Sequence, residues 1–119
     1  MENERAGGLL AWQWAHYPTN HTTRFNLLVH LAAVPLFQAA TLALLLGWAL
    51  DPWLSLGGLG VLVLCAVLEG RGHAVEPAPP IPFRHVGDFL ARFAVEQWVT
   101  FPRWVLNGGW SNAWKQARQ

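Results

Sequence analysis

The chain has 119 residues, the size of one domain, with 53% hydrophobic residues, 13% charged residues and a formal net charge of +1. Soluble domains carry about 25% charged residues, so lipid or a large interface between copies of the chain, a homo-oligomer, is expected to cover the apolar excess. There is no basic cluster and no run of like charges, which excludes the electrostatic footprint of a nucleic-acid binder.

The opening MENERAGG carries two glutamates and leads into a Trp-rich polar stretch rather than an apolar core, so it does not read as a secretory signal. Residues 9–22 form a helix and loop in which Pro18, Asn20 and the Thr22-Thr23 pair supply turn and cap chemistry. A membrane helix is expected over 24–50, because Leu27 to Leu50 contains no acidic or basic residue apart from His30, which can be neutral. Its length is close to the roughly 20 residues that a span requires. Asp51-Pro52 breaks the chain, and a second membrane helix is expected over 53–74. The uncharged part of that second run, Trp53 to Leu68, reaches only about 24 Å, so it must tilt or carry its next polar turn to membrane depth.

The fold class is therefore all-α, a transmembrane helical hairpin with additional amphipathic or interfacial helices. Both runs as core helices of a soluble oligomeric bundle is the alternative, weakened because so small a domain has little else to bury them. Trp48 and Trp53 flank the hairpin turn, and Trp12, Trp14, Trp98, Trp104, Trp110 and Trp114 lie in the segments at its other end, as a second aromatic belt or on interfacial helices. Gly57, Gly58 and Gly60 are candidates for close helix approach, or simply glycines that a membrane helix tolerates. All eight lysines and arginines fall before the first run or after the second, which puts both termini in the cytoplasm.

The prolines of residues 77–82, PAPPIP, give an extended connector. An amphipathic helix is expected over 86–106, with Phe89, Leu90, Phe93 and Val95 or Trp98 set against Asp88, Arg92 and Glu96. Pro102 kinks or ends that helix, and NGG at 107–109 is a turn. Cys65, the single cysteine, reads as a small buried hydrophobe. Glu69 and Arg71 read as a solvated or snorkelling pair.

A hairpin folded at position 51.5 brings residues equidistant from that point to similar heights, and His30 and His73 lie 21.5 positions before and after it. Glu76, three residues beyond His73, shares its face if the helix continues. On one continuous helix His21 and His30 would be about 900° apart, on opposite faces, so a break between them is needed before they can share a ligand. Asn26 and His30 form an i, i+4 pair in which the amide fixes the imidazole tautomer or ligates weakly. Two or three imidazoles with one oxygen ligand suit zinc, copper, iron or nickel and leave open positions for a substrate. His85 follows the connector and can swing towards the same mouth, while His16 beside Tyr17 belongs to the interfacial belt.

YPTNHTTRFNLLVHLAAVPL carries an H-x4-N-x3-H opening, and GHAVE at 72–76 a GH-x-x-E element after the second apolar segment. In this order around a hairpin the chain resembles the membrane family of 2-hydroxy-fatty-acid dioxygenases typified by the yeast enzyme of phytosphingosine breakdown. The similarity runs from Trp14 to Trp110, and PPIPFRHVGDF and TFPRWVLNGGW also look like its bacterial members.

The resemblance implies an Fe(2+)-dependent enzyme that uses dioxygen to remove one carbon from a 2-hydroxy fatty acid, an α-oxidation. In a bacterium it implies an integral protein of the inner membrane. Carried over by position, the motif residues are His21, Asn26, His30, His73 and Glu76. The expectation is that His21, His30 and His73 hold the metal, with Glu76 or Asn26 as oxygen ligand or orienting group. His85 matches a histidine of the bacterial branch alone and stands as a further metal candidate, and Arg84 and Arg92 are candidates for the substrate carboxylate. The family's glycine before the motif proline is replaced in HLAAVP, and its aromatic between GH and Glu is Val75; both changes fall on the substrate channel and leave the motif residues in place. A haem held by His30 and His73 and a non-catalytic membrane scaffold are the competing readings.

Overall fold

A computed structural model of the chain describes residue 5 and residues 7–117. Helix α1 spans Gly8–His16 and runs into a short 3-10 turn at Tyr17–Asn20, where Pro18 sets the backbone angle of the first residues. Helix α2 is Arg24–Leu50 and α3 is Pro52–Ala74. Asp51, in extended backbone, ends the first and caps the second by accepting from the Trp53 N–H at 3.0 Å, while Pro52 occupies the first turn, where its missing N–H matters least. The chain continues through an extended stretch to α4 (Val86–Val95), one π-helical turn (Glu96–Thr100), α5 (Phe101–Leu106) and α6 (Gly109–Gln116). Among the described residues there is no strand, and the architecture is all-α.

Helices α2 and α3 pack along their lengths as an antiparallel hairpin, and both are long and apolar enough to cross a membrane. Of the three glycines noted in the second run, Gly58 makes the close approach. A Cβ there would lie 2.7 Å from the Ala40 carbonyl oxygen, whereas Gly57 and Gly60 face open space. Gly47 and Ser55 form a second contact nearer the turn, where the Ser55 hydroxyl donates to the Leu44 carbonyl at 2.7 Å.

The remaining helices gather at the end of the hairpin opposite the turn. There Tyr17, Leu27, Val34, Phe101 and Trp104 form the core, with Trp14, Trp110 and Trp114 against it. Trp104 is thus a core residue, edge-on to Tyr17 at 5.0 Å, and not part of an outer belt, whereas Trp48 and Trp53 at the turn are 82% and 76% exposed. Only 28% and 22% of the apolar windows of α2 and α3 are buried, so the distal half of the hairpin presents Leu42, Leu45, Leu46, Leu56, Leu59 and Val63 uncovered.

The helix expected over 86–106 runs without a gap in helical backbone from Val86 to Leu106, so Pro102 does not end it, but it is widened by the π turn. Proline removes an N–H and its ring crowds the carbonyl four residues earlier, which the wider turn at Glu96–Thr100 relieves just before Pro102. In that turn the Phe101 N–H reaches the Glu96 carbonyl, five residues back.

Candidate metal centre

The break expected before α2 is present. After the 3-10 turn His21 leaves helical backbone, and Thr23 caps α2 by accepting from the Asn26 N–H at 3.2 Å. The His21 ring folds back over the helix start and stacks on Tyr17 at 3.9 Å between centroids. It lies 4.7 Å from the rings of both His30 and His73, which are 5.1 Å from each other. Three histidines thus meet at the base of the hairpin, His21 from the loop, His30 from α2 and His73 from α3.

The fourth member is Glu96, at the first residue of the π turn. Its Oε2 is 3.0 Å from His30 Nε2 and 3.5 Å from His21 Nε2. Taking one donor atom from each of His21, His30, His73 and Glu96, all lie within 4.8 Å of one another, and the group can hold a metal ion.

The hydrogen bonds around the rings settle which nitrogens face inward. His21 Nδ1 is 2.7 Å from the Tyr17 carbonyl, and His30 Nδ1 is 3.0 Å from the Asn26 carbonyl. A carbonyl oxygen only accepts, so each Nδ1 is the protonated nitrogen and a neutral ring presents its Nε2 lone pair to the cluster. His21 Nε2, His30 Nε2 and His73 Nδ1 are buried without a hydrogen-bond partner. The Glu96 and Glu69 oxygens near His30 Nε2 are close, at 3.0 and 3.2 Å, but make no hydrogen bond with it. Buried nitrogens left open on the inward side, with the outward side anchored on backbone carbonyls, are what a histidine metal site requires.

Charge follows the same pattern. Burial lowers the His21 imidazole below its ordinary value and keeps it neutral, as a ligand must be. Tyr17 is pushed up by burial and by Glu96, stays a phenol, and donates to Glu96 Oε2 at 2.7 Å.

The other residues expected at the site occupy different positions. Glu76 lies past the end of α3, and its carboxylate accepts from the Thr22 and Thr23 N–H groups at 3.0 and 3.1 Å, from both threonine hydroxyls, and from the Asn26 amide at 2.9 Å. Burial would raise its pKa, but these donors outweigh that and keep it ionised. Glu76 therefore caps the orphan N–H groups at the start of α2 and ties it to the end of α3. Asn26 also donates to the Asn20 carbonyl at 3.2 Å, and its side chain presses on Gly72, where a Cβ would collide with it. Both residues orient the loop that carries His21. The His30 tautomer is set by the Asn26 backbone carbonyl, not by its amide.

His85 stands outside the cluster, exposed, with Nδ1 accepting from the Asp88 N–H at 3.1 Å as the cap of α4. Arg84 is half-exposed and paired with Asp88, which also receives Arg5 at 2.5 and 3.0 Å. These partners hold the Asp88 carboxyl far below its usual range. Arg92 donates to the Ile81 and Pro82 carbonyls at 2.8 and 3.1 Å and lies over the Phe83 ring, clamping the proline connector onto α4. His16 is exposed, on the Trp12 carbonyl at 2.8 Å.

A cavity of about 450 Å³ opens beside the cluster. His21, His73, Glu69 and Glu96 line one part of it, and Ala66, Ile81, Phe83, Phe89 and Phe93 give it apolar walls; of the arginines considered, Arg92 alone lines it. No protein-family model, curated protein or solved structure matches the chain.

Proposed function

We propose that this protein is an integral membrane, Fe(2+)-dependent dioxygenase that shortens 2-hydroxy fatty acids by one carbon. The observation that carries the reading is the convergence of three histidines with open nitrogens, two of them anchored on backbone carbonyls, and one carboxylate, on the wall of an apolar cavity at the base of an apolar hairpin. Three neutral imidazoles and one carboxylate suit a divalent transition ion and leave positions for small ligands. Its membrane setting is supported by the uncovered leucines of the distal hairpin, an apolar surface larger than isolated exposed residues explain.

His21, His30, His73 and Glu96 are the residues that would hold the ion, with Tyr17 and the two backbone carbonyls orienting them. Iron, when bound, supplies electrons to dioxygen that closed-shell organic acids do not deliver directly. The chain's part is to present the head of the substrate to the cluster and to keep its tail among Phe89, Phe93 and Ala66, away from water. The reaction balances with one dioxygen: C1 leaves as carbon dioxide, C2 becomes the carboxyl carbon of the shortened acid, and one water forms. The binding of a haem between His30 and His73 is disfavoured, because the His21 ring at 4.7 Å from each occupies the space a porphyrin plane needs.

Metal analysis of the purified protein, with oxygen uptake on 2-hydroxypalmitate for wild type and His30→Ala, tests the proposal. Stoichiometric iron and substrate-dependent uptake are expected in the wild type, and both should be lost in the variant. Iron-free wild type, zinc in place of iron, or turnover untouched by the substitution rejects it, and untouched turnover leaves the scaffold reading.

A further inference from the structure

Glu69, on α3 one turn before His73, is not accounted for by the four-residue cluster. It is 3% exposed, and among the described residues it lies within ion-pair distance of no arginine or lysine. Arg71, the partner expected from sequence, is exposed on another face of α3. The Glu69 carboxylate is fixed from one side only. Its Oε1 accepts from the Gln97 amide at 2.9 Å and lies 3.2 Å from His30 Nε2. Its Oε2 is buried and has no partner, and Glu69 lines the cavity next to His73 and Glu96. A buried acceptor without a donor is destabilising by itself, so a carboxylate kept in this state in the wall of a ligand-sized cavity calls for a donor from the ligand.

Resting on the substrate class proposed above, we infer that Glu69 is the specificity residue for the 2-hydroxyl group: its Oε2 accepts the O–H proton of a substrate whose head lies at the cluster. Gln97, fully buried at the second position of the π turn, is the positioning residue that holds Oε1 and so leaves Oε2 as the free acceptor of a side chain that lines the cavity. A site built to pair a hydroxyl rejects the analogue without one more strongly than an apolar pocket rejects a missing methylene, because the protein's own polar atom is then stranded.

The test is binding under argon, where no turnover occurs, of tritiated 2-hydroxypalmitate to the full-length protein in detergent, with palmitate, 2-methoxypalmitate and 2-oxopalmitate as competitors. In the wild type 2-hydroxypalmitate should bind roughly 10–100-fold more tightly than any of the three, the range of one hydrogen bond to a charged acceptor. Glu69→Gln keeps an oxygen for Gln97 and turns an N–H2 group to the cavity. It should lose that preference and favour 2-oxopalmitate, whose oxygen only accepts, with metal content unchanged.

Equal binding of 2-methoxypalmitate and 2-hydroxypalmitate by the wild type overturns the assignment whether or not the variant folds. So does an unaltered preference in Glu69→Gln, or loss of its metal, which would make Glu69 a ligand. Wild-type protein that holds no iron and consumes no oxygen with 2-hydroxypalmitate instead removes the function on which the inference rests.

Discussion

Tyr17 reaches the cluster through one hydrogen bond, 2.7 Å from its hydroxyl to Glu96 Oε2, while its backbone carbonyl anchors His21. Tyr17→Phe removes the first and keeps the second. It is expected to lower metal affinity about tenfold, the low end for loss of an orienting partner, with little change in helical content. Competitive chelation read by metal analysis checks this, and affinity equal to wild type would show that Glu96 needs no such support.

Glu76 acts at one remove, because it holds the loop rather than the ion. Glu76→Gln leaves buried donors of Thr22, Thr23 and Asn26 poorly matched and should destabilise the fold by roughly 1–3 kcal/mol. Its folded pKa is lowered, so its contribution is complete above the unfolded value of about 4.3 and fades only as pH falls through the lower folded value. The difference in apparent Tm between wild type and Glu76→Gln should therefore stay constant from roughly pH 8 to 5 and close in stronger acid. A gap that closes near neutral pH would point to a histidine instead.

At the scale of elements, the π turn decides where Glu96 and Gln97 point. Deleting Val99, which is exposed on that turn, should restore ordinary α-helical spacing and rotate the residues on its two sides by about 100° relative to one another. Metal binding is expected to be lost while far-ultraviolet circular dichroism stays helical; a deletion variant that retains stoichiometric metal would show that the wide turn is incidental.

This turn is also where the sequence was hardest to read. Glu96 falls on the polar side of an amphipathic pattern with Asp88 and Arg92, and hydrophobic periodicity carries no signal for one extra residue in a turn. Pro102 was the available hint, since a proline inside a helical pattern demands local relief upstream. The hairpin was legible because two uncharged runs around Asp-Pro allow few other folds, and counting outward from that turn placed His30 beside His73. The return of His21 followed from the cap and turn residues before α2. Glu69 and Glu76 were misplaced for one physical reason: a carboxylate's partners here come from segments distant in sequence, Gln97 for one and Thr22 and Thr23 for the other.

For the whole molecule, the proposal sets a stable cluster at one end of a hairpin whose other end is bare. Leu45 is 61% exposed near the middle of the uncovered half of α2. Leu45→Arg is expected to oppose insertion by roughly 2.5–3.5 kcal/mol, or more if the side chain cannot snorkel. Flotation with lipid vesicles after expression reads the effect; a variant that floats as completely as wild type would place that face against protein and favour the soluble bundle.

The uneven burial of the hairpin also governs how the kinetics of the proposed reaction should be expressed. Under the proposed function, with the cluster at the base of two helices set in lipid, a fatty acid would arrive by diffusion in the plane of the bilayer and need never dissolve in water. Its effective concentration is then its mole fraction among lipids. Adding inert lipid at fixed total substrate should raise an apparent KM written in bulk molar units in proportion, and leave the same constant unchanged when written as surface fraction.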